Sequence, residues 1–213
     1  MRTITILNPK GGCGKTTIAT CLASHLSWDG YQVALADLDP QRSSSDWGEL
    51  RSEEYPEIEM IAYGSGQVRA SRGTDVLVLD SPAGLHGNEL GQLVRRSQTL
   101  LVPILPSPID MRASWRFLEQ LFALTPVQKG KAKVGLIANR IKENTLVYRE
   151  LTGFLDKQRA PFVAHLRASM NYVRAAEKGL GVADLPRYLA ERDWQQWEPL
   201  MRWLESKRSQ PKN

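Results

Sequence analysis

The stretch Asn8-Pro9-Lys10-Gly11-Gly12-Cys13-Gly14-Lys15-Thr16-Thr17 constrains this chain more than any other. It follows the apolar, β-favouring run Ile4-Thr5-Ile6-Leu7 and precedes a helical pattern that starts near Lys15. A strand, a glycine-rich turn and a helix in that order are the setting a phosphate-binding loop requires. Glycines let successive backbone N–H groups converge on phosphate oxygens without obstruction by a Cβ, and the helix N-terminus adds partial positive charge. Lys15 can reach β- and γ-phosphates, and the Thr16 hydroxyl is placed to ligate Mg²⁺. The common spacing G-x-x-x-x-G-K-[ST] wants a glycine where this chain has Pro9. In exchange, a second lysine, Lys10, stands directly before the glycine pair.

The rest of the chain reads as alternating strands and helices. Strand-like runs cover residues 3–8, 31–36, 58–63, 76–80, 99–105, 133–138 and 162–164, and Pro103 marks the end of its run rather than the centre. Helical patterns cover residues 15–28, 43–51, 88–96, 110–122, 146–158, part of 167–181, and 193–207. Ser43 to Asp46 supplies the cap of the second helix, and Pro199 is expected to kink or restart the last. Residues 64–72 read as loop or short helix. The fold class is therefore α/β: a doubly wound, mostly parallel sheet with helices on both faces. The length of 213 residues suits one domain, so residues 1–213 read as a single P-loop domain.

Composition removes several classes of function. No apolar run approaches the ~20 residues that span a bilayer, and the N-terminus enters a strand without the apolar core of a signal peptide, which points to the cytoplasm. Cys13 and Cys21 are expected to be reduced thiols, and His25, His86 and His165 are too scattered for a zinc site or a histidine-based triad. Residues 151–213 carry 11 Lys and Arg against 7 Asp and Glu, a basic bias that suits a polyanion partner or a plain solvated surface.

Three carboxylates follow apolar strand runs: Asp37 and Asp39 after the second, Asp80 after the fourth. In a doubly wound sheet the carboxyl ends of strands are where ligands bind. Hydrolysis of a phosphoanhydride needs a positioned water, Mg²⁺ and positive charge where negative charge builds up. Carboxylates at those strand ends can support the metal shell or orient the water.

Lys10-Gly11-Gly12-Cys13-Gly14-Lys15-Thr16-Thr17 resembles the deviant Walker A loop of the ParA/MinD ATPases, K-G-G-x-x-K-T-[ST]. Asp37-Leu38-Asp39-Pro40-Gln41 resembles their D-x-D-P-Q motif, and the run ending Asp80-Ser81-Pro82 resembles their Walker B. The segments 102–107 and 139–140, and the pattern Tyr172, Ala175 or Ala176, Gly179, extend the likeness over roughly residues 2–186. The resemblance implies an ATP- and Mg²⁺-dependent, weak, partner-stimulated ATPase. Lys15 and the loop residues Gly11, Gly12, Cys13, Gly14 and Thr17 would hold the subunit's own nucleotide, and Asn139 would lie near the adenine. Thr16 would ligate Mg²⁺, with Asp80 behind it and Asp37 supporting the metal shell. Asp39 would orient the attacking water, and Lys10 would reach the partner's nucleotide across an ATP-sandwich homodimer.

Within that family, the polar, proline-containing end at residues 205–213 argues against a lipid-bound tail. Lys10 argues against the biosynthetic relatives that activate a small substrate, and the two cysteines are misplaced for a cluster-binding reductase. The membrane-cued and biosynthetic branches stay as alternatives. The branch the likeness favours is a small ParA-type positioning ATPase without an N-terminal helix-turn-helix. It would bind nucleoid DNA non-specifically through Arg159, Arg167, Arg174, Lys178 and Arg187. A ParB-like or cargo-adaptor protein would stimulate hydrolysis, and the cargo would be a plasmid, a chromosome region or a protein organelle such as a carboxysome.

Overall fold

The computed structural model describes residues 1–64 and 68–211. In chain order the elements are β1 (Arg2–Ile6), α1 (Lys15–Trp28), β2 (Val33–Asp37), α2 (Ser43–Glu49), β3 (Ile58–Ile61) and β4 (Val76–Asp80). Then come α3 (Gly87–Arg96), β5 (Thr99–Ile104), α4 (Pro108–Ala123), a single turn α5 (Thr125–Gln128), β6 (Lys133–Ile141), α6 (Leu146–Leu155), β7 (Phe162–Arg167), α7 (Met170–Ala176) and α8 (Arg187–Glu205). The seven strands form one sheet in the order β3-β2-β4-β1-β5-β6-β7. All six pairings are parallel. The α/β reading holds, and the sheet is parallel throughout.

Parallel strands buried on both faces read as continuous apolar runs, and β2, β4 and β5 are buried along their whole length. Alternate residues serve opposite faces. Ile4, Ile6, Val33, Leu35, Val76 and Val78 pack with α1 and α8. Leu100, Val102, Ile104, Val134 and Leu136 pack with α3, α4 and α6, and Ala34, Ala36, Leu77 and Leu79 form a smaller cluster with Leu85 and Leu93. Pro103 is tolerated one residue from the end of β5 because its β1 neighbour pairs only Thr99 to Leu101.

Four local expectations change. The second helix is not capped by a serine: its N-cap is Arg42 in the left-handed region at φ 57°, and the Ser45 side chain turns to Asp37 instead. The edge strand β7 runs on to Arg167, and β6 runs on through Asn139 to Ile141. The last helix begins at Arg187, and its non-helical residue is Ala190 (φ −125°, ψ 18°) rather than Pro199, which sits inside the helix. Of the 64–72 loop, residues 65–67 lie outside the described residues.

α1 is buried on nearly all sides from Ile18 to Ser27. One side lies on the sheet. The other is covered by the 3₁₀ turn Val182–Asp184 and by α8. Asp184 ties that cover down: it accepts from Ser24 Oγ (2.8 Å), Trp28 Nε1 (2.8 Å), the Gly181 amide (2.7 Å) and the Arg51 guanidinium (2.9 Å). These contacts hold its carboxyl below the usual range despite burial, Arg51 contributing most after the desolvation that opposes it. The helix that follows the glycine-rich loop is thus clamped from both sides, which fixes the loop.

Candidate functional site

The sheet register brings the site residues into one row. Ile6, the last residue of β1, pairs with Asp80, and Asp80 pairs with Asp37. The loop leaving β1 therefore starts beside two buried carboxylates at the carboxyl edge of the sheet. Asp39 lies two residues past β2, half-buried, with one oxygen accepting from the Gln41 amide at 2.9 Å.

The loop is held by its neighbours. Asn8 donates to the Pro103 carbonyl at 2.7 Å and accepts the Lys10 amide at 2.9 Å, which fastens the loop to the end of β5. Gly14 opens α1 in the left-handed conformation at φ 92°. A Cβ there would run into the Asn139 side-chain amide, so only glycine allows β6 to approach so closely. Asn139 itself is buried and donates to the Cys13 carbonyl at 2.7 Å. The Cys13 thiol lies 3.3 Å from the Lys10 carbonyl, and burial pushes it further towards the protonated form. Gly11 and Gly12 are exposed at the crown of the loop, and Thr16 and Thr17 sit half-buried on the first turn of α1.

The two lysines have different surroundings. Lys15 is buried, and its ammonium folds back onto the Lys10 carbonyl at 3.3 Å. Lys10 is half-exposed and forms an ion pair with Asp110, on the first turn of α4. Asp110 was legible only as the opening of a helix. Its pairing with a lysine a hundred residues away needed the fold.

The Asp80 side chain is 1 % exposed, and neither of its oxygens has a hydrogen-bond partner. The hydroxyls of Ser44 and Ser81 beside it are likewise buried and unpartnered. Burial raises the Asp80 pKa to about 6, with the Asp37 charge adding to the rise; Thr16, Ser44 and Lys15 pull against it. Asp37, by contrast, is fully engaged, accepting from the Ser45 amide and hydroxyl (2.8 and 2.9 Å) and the Asp39 amide (3.0 Å). Unsatisfied buried oxygen donors are what a hard cation or ordered water would use. Among the described residues there is no cluster of three His, Cys, Asp or Glu able to enclose a metal. The donor set therefore fits Mg²⁺ that takes most of its ligands from phosphate oxygens and water.

On the other side of the loop lies a cavity of about 690 Å³. Thr17, Asn139 and Arg140 form the wall nearest the loop, and residues 167–170, Tyr172, Val173, Ala176 and Glu177 form the far wall. A planar heterocycle in this cavity would be joined to phosphates on the loop. Arg140, at φ 53°, and Tyr172 lie in segments the sequence analysis matched to the family without giving them a role, whereas Ser169, Met170 and Val173, which also line the cavity, carried no sequence signal.

The five basic residues expected on the surface do not gather in one place. The Arg167 guanidinium is engaged with buried Asp193 at 2.6 Å, and Arg187 lies over the Trp194 ring at 5.0 Å. Arg174 and Lys178 are exposed, at and just past the end of α7. Arg159 lies at the opposite end of the sheet, before β7.

Comparison with known proteins finds a nucleotide-binding family and the same fold. The family described as the CobQ/CobB/MinD/ParA nucleotide-binding domain matches residues 4–182. A maintenance of carboxysome distribution protein A from Halothiobacillus neapolitanus is 28 % identical over 190 residues, covering 86 % of this chain and 87 % of that protein. The chromosome partitioning protein ParA of Caulobacter vibrioides is 35 % identical over 107 residues, covering 47 % of this chain and 40 % of the relative. Among solved structures, apo McdA from Cyanothece superposes with a TM-score of 0.74 at 19 % identity, covering 94 % of this chain and 99 % of that one. MinD in the MinC:MinD complex of Aquifex aeolicus gives 0.72 at 20 % identity, covering 96 % and 95 %.

Proposed function

This chain belongs to the CobQ/CobB/MinD/ParA family of nucleotide-binding domains, and from that premise we propose that it is a ParA-type positioning ATPase acting as one P-loop domain. It binds ATP and Mg²⁺ and closes into an ATP-sandwich dimer. It holds nucleoid DNA non-specifically, and it releases both when a cargo-adaptor partner stimulates hydrolysis. The observation that carries this reading is the pair of lysines on one loop. Lys15 is buried against the loop, whereas Lys10 is half-exposed and, among the described residues, is held by Asp110. One lysine suits the subunit's own triphosphate. The second, once released from Asp110, can offset charge on a neighbour's, as an arginine finger does when supplied in trans.

The roles follow from placement. Loop amides from Gly11 to Thr17 cradle phosphates at the N-terminus of α1. Mg²⁺, when bound, would supply positive charge near the transferring phosphoryl group; Thr16 would hold it, and Asp80, Ser44 and Ser81 would hold the water around it. Asp37 is held rigid by Ser45 and fixes the start of the segment that carries Asp39. Asp39 orients the attacking water, and Asn139 and the cavity beside it receive the adenine. The cargo class is supported by relatives named for carboxysome distribution and for chromosome partitioning.

The test is static light scattering with ATP and Mg²⁺. The wild-type chain should double in mass and Lys10→Ala should remain monomeric. Equal doubling in both would sink the sandwich model. Among the described residues no helix is long and apolar enough to cross a membrane. ATP-dependent sedimentation with anionic liposomes would instead move the assignment to the membrane-cued branch.

A further inference from the structure

Three short basic segments far apart in sequence meet at the amino-terminal edge of the sheet. The first is Lys129-Gly130-Lys131-Ala132-Lys133, the turn that feeds β6. The second carries Arg159, just before β7. The third is the 3₁₀ turn Lys207–Ser209. They surround a cavity of about 390 Å³ whose lining includes Lys133, Arg159 and Arg208 among apolar side chains such as Phe122, and no carboxylate. Among the described residues none of the six cations is in an ion pair.

The cluster is held in place. Ser209 is fully buried, and its carbonyl accepts from Thr99 Oγ1 at 2.7 Å and from the Arg2 guanidinium at 3.2 Å. Arg2 also donates to the Leu204 carbonyl at 2.6 Å. Burial lowers the Arg2 pKa to about 10, still far above neutrality. Arg208 is therefore presented from an anchored turn. Lys133 is positioned by the Gly130 turn, over which its ammonium lies: a Cβ on Gly130 would stand 3.1 Å from Lys133 Nζ. Like charges gathered around a cavity that no carboxylate lines cost free energy in the isolated chain, and a polyanion relieves that cost.

We propose that this amino-terminal edge, and not the basic residues around α7 and α8, is the surface that takes the nucleic-acid backbone. The proposal rests on the positioning-ATPase reading and locates its DNA contact at the end of the strands opposite the nucleotide loop. Phosphates spaced along a duplex call for cations presented from several segments, whereas Arg167 is already paired with buried Asp193 and the exposed Arg187 lies over the Trp194 ring.

The test is fluorescence anisotropy of a labelled random-sequence duplex with the full chain, ATP and Mg²⁺, over a range of salt. The triple variant Lys133→Gln/Arg159→Gln/Arg208→Gln should bind at least about tenfold more weakly at low salt, and its salt slope should fall by about two to three. Its melting temperature reports that it is folded. Arg174→Gln/Lys178→Gln should shift both quantities far less. If the wild type binds and the triple variant binds equally with the same slope, the surface assignment is wrong while the DNA reading stands. If the wild type fails to bind duplex at all, the DNA reading itself falls and takes this surface with it. Saturable binding of inorganic phosphate to the wild type, undisturbed by duplex, would replace it with a small-anion site.

Discussion

At the scale of single residues, the site stores two unmet demands. Asp80 is a buried carboxylate without a hydrogen-bond partner, and burial disfavours its ionised form. In the proposed function that demand is met when a cation or its water shell arrives. Asp80→Asn should therefore raise the melting temperature of the nucleotide-free protein, by an amount corresponding to about 1–3 kcal/mol, because it removes a buried charge. The same change should cut Mg²⁺-dependent phosphate release roughly ten- to a hundredfold. Thermal denaturation without nucleotide and a phosphate-release assay read the two effects, and a destabilised nucleotide-free variant would contradict the account. Lys10 has the second demand, met provisionally by Asp110. In the proposed dimer that pair must open before Lys10 can cross to a neighbour. Asp110→Asn should lower the protein concentration needed for ATP-dependent dimerisation by up to about 25-fold, because two partly exposed pairs of at most about 1 kcal/mol each open per dimer. Light scattering across a concentration series would show it, and a shift to higher concentration would mean that Asp110 supports the dimer rather than restraining it.

At the scale of elements, the fold was legible where the physics is local. The glycine-rich loop, the carboxylates at the ends of β2 and β4, and the helix Lys15–Trp28 depend on neighbouring residues, and each lies where its motif places it. What was illegible depends on residues that meet only in three dimensions. A helical pattern over residues 15–28 requires only one buried face, yet with the turn at Val182–Asp184 covering it α1 is buried throughout Ile18 to Ser27. Pro199 was expected to break the last helix, but the irregularity falls at Ala190, where a buried residue joins two helical stretches. His25 shows what this packing does. It is 5 % exposed, stacked on Trp197 at 4.9 Å and edge-on to Trp194 at 5.2 Å, and its Nε2 has no partner. Burial lowers its pKa to about 4, against the pull of Asp184. The unfolded chain binds the proton at its ordinary pKa of 6.5, the folded chain only near 4, so stability should drop as pH falls through that window. The loss should reach roughly 3 kcal/mol by pH 4. His25→Leu should flatten this limb in urea melts at a series of pH values. An unchanged slope would show that another group governs the acid response.

At the scale of the whole molecule, the proposed function makes stability depend on association. A ligand bound only by the folded state stabilises it by mass action, and a ligand that also joins two folded chains adds a dependence on protein concentration. Nucleotide-free protein with the Lys10–Asp110 pair closed has no reason to show that dependence. With ATP and Mg²⁺ in excess, each tenfold increase in protein concentration should add about 1.4 kcal/mol per dimer. Shared between two chains of this size, that corresponds to a rise in melting temperature of about 2 °C per tenfold. Lys10→Ala separates the two contributions. It should keep the ligand term, since Lys15 and the loop amides remain, and lose the concentration term, since nothing reaches the neighbour's phosphates. Scanning fluorimetry at several protein concentrations, with and without ATP and Mg²⁺, gives both quantities in one experiment. A melting temperature that rises with ATP but never with protein concentration in the wild type would leave a nucleotide-binding protein that works as a monomer. The outward lysine of the loop would then need another partner.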